Sequence, residues 1–266
     1  MEEAKIIEMI KINPLVIKTI ENPTDEMKIT ALKKNGLLLK YIDNPSREME
    51  EVAIDNNVRA IEFIENPSEE MKIKVIKSGW INLNYIKDPS EKVIKIAIEQ
   101  RGWAIQYVKN PSEEMQLMAI KKDYDSIKYI KEPLESVQIE AVKINYNALK
   151  YIDEPCYKAQ LEAIRSNEAS INFIKNTDKE NLLNFLRENI LVIKYTINDL
   201  EEEKIIEVLK EILSKEDVSE KYVRDFLNCS IIDINGEIKM DKILFIYKYG
   251  SSKAKKIVVD EKLKII

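Results

Sequence analysis

Along residues 1–198 the apolar and polar positions repeat every 22 residues. Residues 67–88, PSEEMKIKVIKSGWINLNYIKD, show the unit: a polar opening, apolar positions at helical spacing, a polar corner and a short apolar close. With columns numbered from the proline, columns 5 and 9 lie four apart and share a helical face, as in Met27/Ala31, Met49/Ala53 and Met115/Ala119. Column 10 widens that face with Leu32, Ile54, Ile76, Ile98 and Ile120. This spacing predicts an α-helix that starts at the proline and ends near columns 12–14. Columns 17 (Leu39, Ile61, Leu83, Ile105) and 20 (Ile42, Ile64, Ile86, Val108) predict a second, shorter helix over columns 15–21, partly 3₁₀. The small alanine at column 9 predicts close approach of a neighbouring helix.

A fixed period of this length marks a repeat architecture. One unit is too small to hold a core, so neighbours must stack. Pro23, Pro45, Pro67, Pro89, Pro111, Pro133 and Pro155 set the register. Counting back, residues 1–22 fit as a degenerate first unit with Met1 in column 1. Counting forward, residues 177–198 fit as a ninth. Asn22, Asn44, Asn66, Asp88 and Asn110 precede prolines and are predicted N-caps, with proline at the first helical position. Acidic residues at column 3, among them Asp25, Glu69, Glu91, Glu113 and Glu135, are expected to close a capping-box-like pair and to complement the helix dipole. Gly36, Gly79, Gly102, Asn57 and Asn167 stand where the helix stops and are residue types that accept left-handed backbone. The predicted fold is all-α: a right-handed α-solenoid of about nine helix–short-helix repeats over 1–198, followed by a mainly helical cap or small domain over 199–266.

The period breaks after residue 198. Helical spacing predicts helices over 199–214, 219–229, 241–249 and 251–266, and Asn235-Gly236 predicts a hairpin turn between short strands within 231–240. Charge is polarised here. Residues 199–238 hold 12 acidic and 5 basic side chains, and 239–266 hold 8 basic and 3 acidic, so the basic tail is expected to fold back on the acidic start.

The repeat resembles short α-solenoid repeats, HEAT-like in the broad sense. It is similar to a 22-residue helical repeat family of bacteria, phages and large viruses. The likeness rests on the Asn-Pro-Ser-Glu-Glu-Met opening (residues 66–71 and 110–115), the Ala-Ile pair (Ala53-Ile54, Ala119-Ile120) and the Tyr-Ile close (Tyr41-Ile42, Tyr129-Ile130). It covers residues 1–198. It implies a fold and a binding role and brings no catalytic residues.

Composition narrows the chemistry. The chain has no histidine, which removes Ser-His-Asp and Cys-His catalysis and histidine-containing zinc sites. Cys156 and Cys229 stand far apart and read as free thiols in a reducing compartment. There is no phosphate-binding glycine loop, and five glycines in 266 residues disfavour glycine-rich folds. No cofactor or metal is expected, and no enzymatic mechanism is offered. A net charge of −5 gives no global attraction to nucleic acid or an anionic membrane. The N-terminus lacks the pattern of a secretory leader and no apolar run reaches spanning length, so a cytoplasmic location is expected, in a bacterial cell or phage-infected host.

Repeated features read mostly as scaffold. The acidic pairs at helix starts, such as Glu69/Glu70, recur with the repeat and complement helix dipoles. Column 19 is an aromatic ladder (Tyr41, Phe63, Tyr85, Tyr107, Tyr129, Tyr151, Phe173, Tyr195), read as a seam between units or, alternatively, as a stacking platform for bases. Column 11 is mostly basic (Lys33, Lys77, Lys121, Lys143, Arg165, Arg187) and reads as dipole complementation or as a phosphate track. Departures from the repeat are the candidates for binding. Trp80, Trp103, Tyr124 and Tyr146 cluster at columns 14 and 15 of four successive units, and column 18 brings the variable Asn84, Gln106, Lys128 and Lys150. The leading reading is a non-enzymatic solenoid that engages a protein partner through these residues, as an inhibitor or adaptor from a phage or mobile element acting on a bacterial defence complex. The alternatives are single-stranded nucleic-acid binding along the repeat groove and sequestration of a small anionic nucleotide.

Overall fold

The computed structural model describes residues 2–263. Met1, in column 1 of the first unit, and residues 264–266, at the end of the last predicted helix, lie outside them. Helices alternate in type. Over residues 2–192 each α-helix is followed by a short 3₁₀ helix, and this pair is the 22-residue repeat. The chain divides into two compact units, residues 2–132 and 133–263.

The N-terminal unit holds six repeats. Their α-helices are Glu2–Ile12, Asp25–Lys34, Arg47–Asn56, Glu69–Lys77, Glu91–Gln100 and Glu113–Lys122. The 3₁₀ helices are Pro14–Thr19, Gly36–Tyr41, Val58–Phe63, Trp80–Tyr85, Gly102–Tyr107 and Tyr124–Tyr129. The second helix is therefore wholly 3₁₀ and spans columns 14–19.

The α-helix starts two residues later than the proline register predicts. Its N-cap is the Ser or Thr at column 2, not the Asn or Asp before the proline. Thr24, Ser46, Ser68, Ser90 and Ser112 each accept a hydrogen bond from the backbone N–H three residues on. The N3 position is then Met27, Met49, Met71, Val93 or Met115, so the acidic residues of column 3 sit at N1, where they complement the dipole but close no capping box. The residues before the prolines serve the turn instead: Asn44 and Asp88 take φ of 47° and 46°, the left-handed region that short polar side chains accept.

Column 13 ends one helix and starts the next. Asn35 and Asn57 have extended backbone, so the expected left-handed stop is absent. The N–H of each still reaches the column-9 carbonyl (Ala31 and Ala53), and the side-chain oxygen accepts from the N–H of Leu37 or Arg59 inside the 3₁₀ helix. Asn145, Asn167 and Asn189 repeat this double role. Gly36 and Gly102 are not left-handed either. They are small because the next repeat is close: a Cβ on Gly36 would lie 2.2 Å from the Ala53 carbonyl oxygen, and one on Gly102 2.3 Å from that of Ala119. The neighbour also binds their N–H groups, through Asn56 Oδ1 at 2.7 Å and Asp123 Oδ2 at 2.8 Å.

Three residues per turn decide which 3₁₀ side chains face inward. Columns 16, 17 and 20 are buried in most repeats, as in Leu38, Leu39 and Ile42 or Ala60, Ile61 and Ile64. Columns 15 and 18 share an outward ridge beside column 19.

The C-terminal unit continues with the pairs Glu135–Ile144 and Tyr146–Tyr151, Tyr157–Ser166 and Glu168–Phe173, and Lys179–Glu188 and Ile190–Val192. In the ninth repeat the 3₁₀ helix is a single turn that passes into the α-turn Ile193–Thr196. The helices Glu202–Leu213, Glu220–Asn228, Lys242–Tyr249 and Ser252–Leu263 follow. They share one core with the last repeats: Ile164, Phe185, Leu186 and Ile190 pack with Leu209, Val223, Phe226 and Ile246. Tyr222 is buried there and donates its hydroxyl to the Leu186 carbonyl at 3.0 Å. The predicted hairpin is not one. Ile232–Asp233 and Ile238–Lys239 pair in parallel, because the chain around Asn235-Gly236 coils back on itself: Ile238 N–H reaches the Ile231 carbonyl and Met240 N–H that of Asp233. The tail does pack back on the acidic segment. Its contacts include backbone bonds, such as Ser251 N–H to the Leu213 carbonyl, and the pairs Lys242–Asp233 and Arg224–Glu261. No helix among the described residues is long and apolar enough to cross a membrane.

Candidate binding face

The outward ridge of the 3₁₀ helices in the N-terminal unit alternates rings and cations. Lys18 Nζ lies 3.8 Å from the centre of the Tyr41 ring, and Lys40 Nζ is 4.9 Å from the same ring and 6.0 Å from Phe63. The Arg59 guanidinium lies 5.0 Å over Tyr85, and Lys128 5.0 Å over Tyr129. Column 19 is therefore a half-exposed seam between repeats and not a bare ladder. Tyr41 is 48% exposed and Phe63 38%, and their faces are covered by cations of the same chain. The two lysines act on the phenol: hydrogen bonding from Lys18 and then Lys40 lowers the Tyr41 pKa.

The tryptophans extend this stripe rather than forming a separate edge. Trp80 packs on Tyr107 of the next repeat, ring centres 6.3 Å apart, and Trp103 packs edge-on against Tyr129 at 6.2 Å. Trp103 is half-buried. Its indole N–H donates to Asp125 Oδ1 at 2.8 Å, and Arg101 and Lys128 lie 4.3 and 4.5 Å from its ring centre. Asp125 also pairs with Lys128 at 2.7 Å. Partial burial pushes the Asp125 carboxyl up, but Lys128, the Trp103 N–H and Arg101 outweigh it and hold the pKa below its ordinary value.

Of the other sequence candidates, Tyr124 is half-buried, Asn84 is exposed, and Gln106 is exposed and donates to the Trp103 carbonyl at 2.9 Å. Tyr146 and Lys150 belong to the C-terminal unit, where Lys150 lies 4.9 Å over Tyr151. Lys18, Arg59 and Arg101 are participants that the column reading left out. Lys18 stands in column 18 of the degenerate first repeat, and Arg59 in column 15, which a three-residue turn places beside column 18.

Column 11 is not part of this face. Its arginines knit neighbouring α-helices, Arg165 with Glu188 of the next repeat and Arg187 with Glu211 of the helix Glu202–Leu213. The acidic helix starts do likewise: Lys95 bridges Glu91 and Glu114 at 2.7 and 2.8 Å. Among the described residues no three acidic, cysteine or histidine side chains converge as a metal site would require. No protein-family model, curated protein or solved structure matches this chain.

Proposed function

We propose that the protein is a non-enzymatic repeat scaffold that binds an acidic segment of a protein partner along the 3₁₀ face of residues 2–132. The observation that carries this reading is the cation-covered aromatic stripe. Lys18 and Lys40 are pre-positioned over rings, which lowers the entropy cost of presenting them to carboxylates, while Arg59 and Lys128, also over rings, share Glu62 and Asp125 of their own repeats. Tyrosine hydroxyls and tryptophan edges beside them supply the amphipathic contact typical of protein recognition. Single-stranded nucleic acid is the weaker reading, because stacking bases need free ring faces and cations already lie over Tyr41, Tyr85 and Tyr129. The role of inhibitor or adaptor of phage origin rests on the repeat's resemblance, and the bacterial cytoplasm on the absence of a leader pattern and of a spanning apolar run.

Fluorescence anisotropy tests this. A labelled aspartate- and glutamate-rich peptide and an oligonucleotide of equal charge are titrated with wild type and with Lys18→Glu/Lys40→Glu. The peptide is expected to bind wild type, to weaken with salt and to lose at least about tenfold in affinity to the variant. Tighter binding of the oligonucleotide, with the same loss in the variant, would transfer the face to nucleic acid.

A further inference from the structure

From the second repeat to the sixth, the column-19 ring is met by a side chain of the repeat before it. Lys18 lies over Tyr41, Lys40 reaches Phe63 and Arg59 lies over Tyr85, whereas Trp80 packs on Tyr107 and Trp103 on Tyr129. The covering group therefore changes from cation to indole along one face.

The outward ridge of columns 15 and 18 changes with it. It holds Leu15 and Lys18 in the first repeat and Leu37 and Lys40 in the second. In the third, Arg59 and Glu62 pair at 3.4 Å, and in the sixth, Asp125 and Lys128 pair at 2.7 Å. Between these pairs the ridge carries no charge: Ile81 and Asn84 stand in the fourth repeat, Trp103 and Gln106 in the fifth. The cations of the ridge that no ridge acid balances are thus Lys18 and Lys40. Glu21 and Asp43 stand at column 21, past the ends of the 3₁₀ helices, in a cleft with Lys18 and Lys28. Arg101, near the Trp103 ring, pairs with Asp123 at 3.4 Å. In the uncharged stretch Ile81 is 53% exposed and follows the half-buried Trp80. A carboxylate laid there would lose water without gaining a cation, whereas an apolar side chain would gain contact.

We infer that the recognised segment is bipartite: acidic over the first two repeats, with an apolar side chain that seats on Ile81 and Trp80. This rests on the acidic-segment reading above and adds what selects among acidic segments. Lys40 and Ile81 are two repeats apart, about 16–20 Å at the usual spacing of packed helices. An extended chain covers that distance in about five or six residues. Ile81 is the specificity-determining residue of the face, and Lys18 and Lys40 supply its charge selection.

Fluorescence anisotropy of the full chain with two labelled peptides of equal length and charge tests it. One is an acidic block followed by serine and glycine; the other carries a leucine about six residues beyond the block. Both are also made with the block at the other end, since the ridge does not fix chain direction. In one direction or the other, wild type is expected to bind the leucine peptide at least about fivefold more tightly than its leucine-free counterpart. Ile81→Asn places at column 15 the residue that Asn147 supplies in the seventh repeat. It is expected to bind the leucine-free peptide like wild type, which also reports an intact fold, and to lose the leucine gain. No gain from leucine in wild type, or a gain that survives Ile81→Asn, would overturn the inference and leave the acidic-segment reading standing. If no peptide binds wild type, that reading fails and the inference falls with it.

Discussion

Trp103 and Asp125 show how one residue pair ties two repeats together. The carboxylate accepts the indole N–H of one repeat and the ammonium of its own. Because its pKa is lowered on folding, the stabilisation is full above the unfolded-state value and is lost as pH falls through the folded one. Asp125→Asn should therefore cost about 1–2 kcal/mol at neutral pH, and the gap to wild type should close in strong acid; urea unfolding at stepped pH measures it. A second residue is locally unfavourable. The Ser126 hydroxyl is buried with no hydrogen-bond partner among the described residues. The same column holds Ala60, Ala104 and Ala148, while Ser170 bonds the Ala163 carbonyl at 3.1 Å. Ser126→Ala should stabilise the protein by about 1 kcal/mol, whereas Ser170→Ala should not, as thermal melts would show.

At the scale of the element, punctuation was only half legible. The proline comb fixed the register, but Asn-Pro-Ser offers two capping side chains two residues apart, and pattern alone does not choose between them. Backbone geometry chooses: Asn44 and Asp88 take positive φ rather than the extended backbone of an N-cap, whereas Ser46 and Ser90 are extended and cap the helix that follows. Ser68→Ala should cost about 1 kcal/mol in chemical unfolding, and Asn66→Ala clearly less. Asn44 is different because its φ of 47° is left-handed. Asn44→Gly should match or exceed the wild-type melting temperature, and Asn44→Val should lower it. The 3₁₀ form was likewise only partly legible. Columns 17 and 20 are three apart, which is the 3₁₀ period, but six residues are too few to separate this from an α-helical turn. That ambiguity hid the pairing of columns 15 and 18, and with it Arg59.

In the whole molecule, the break in the repeat at residue 198 is not a break in the core. Phe185 and Leu186 of the ninth repeat are buried against Leu209, Val223 and Phe226. A chain ending at residue 198 should expose that cluster. Hydrogen exchange should then be fast throughout 177–198 and the protein should self-associate, while residues 2–132 keep their protection.

The sequence by itself determined the number of repeats, their length and which columns are apolar, because a 22-residue period leaves each repeat the same local problem of burying one face. It also marked Trp80, Trp103 and Lys128 as departures from the repeat. Tertiary structure alone decided what those departures touch. Trp103 meets Tyr129 and Asp125 because stacked repeats bring residues about one period apart into contact, and the cations settle over rings of their own and neighbouring repeats. It also decided that Leu244 and Tyr247 face outward while Phe245 and Ile246 face the core, which a short apolar run does not specify until the helix is docked.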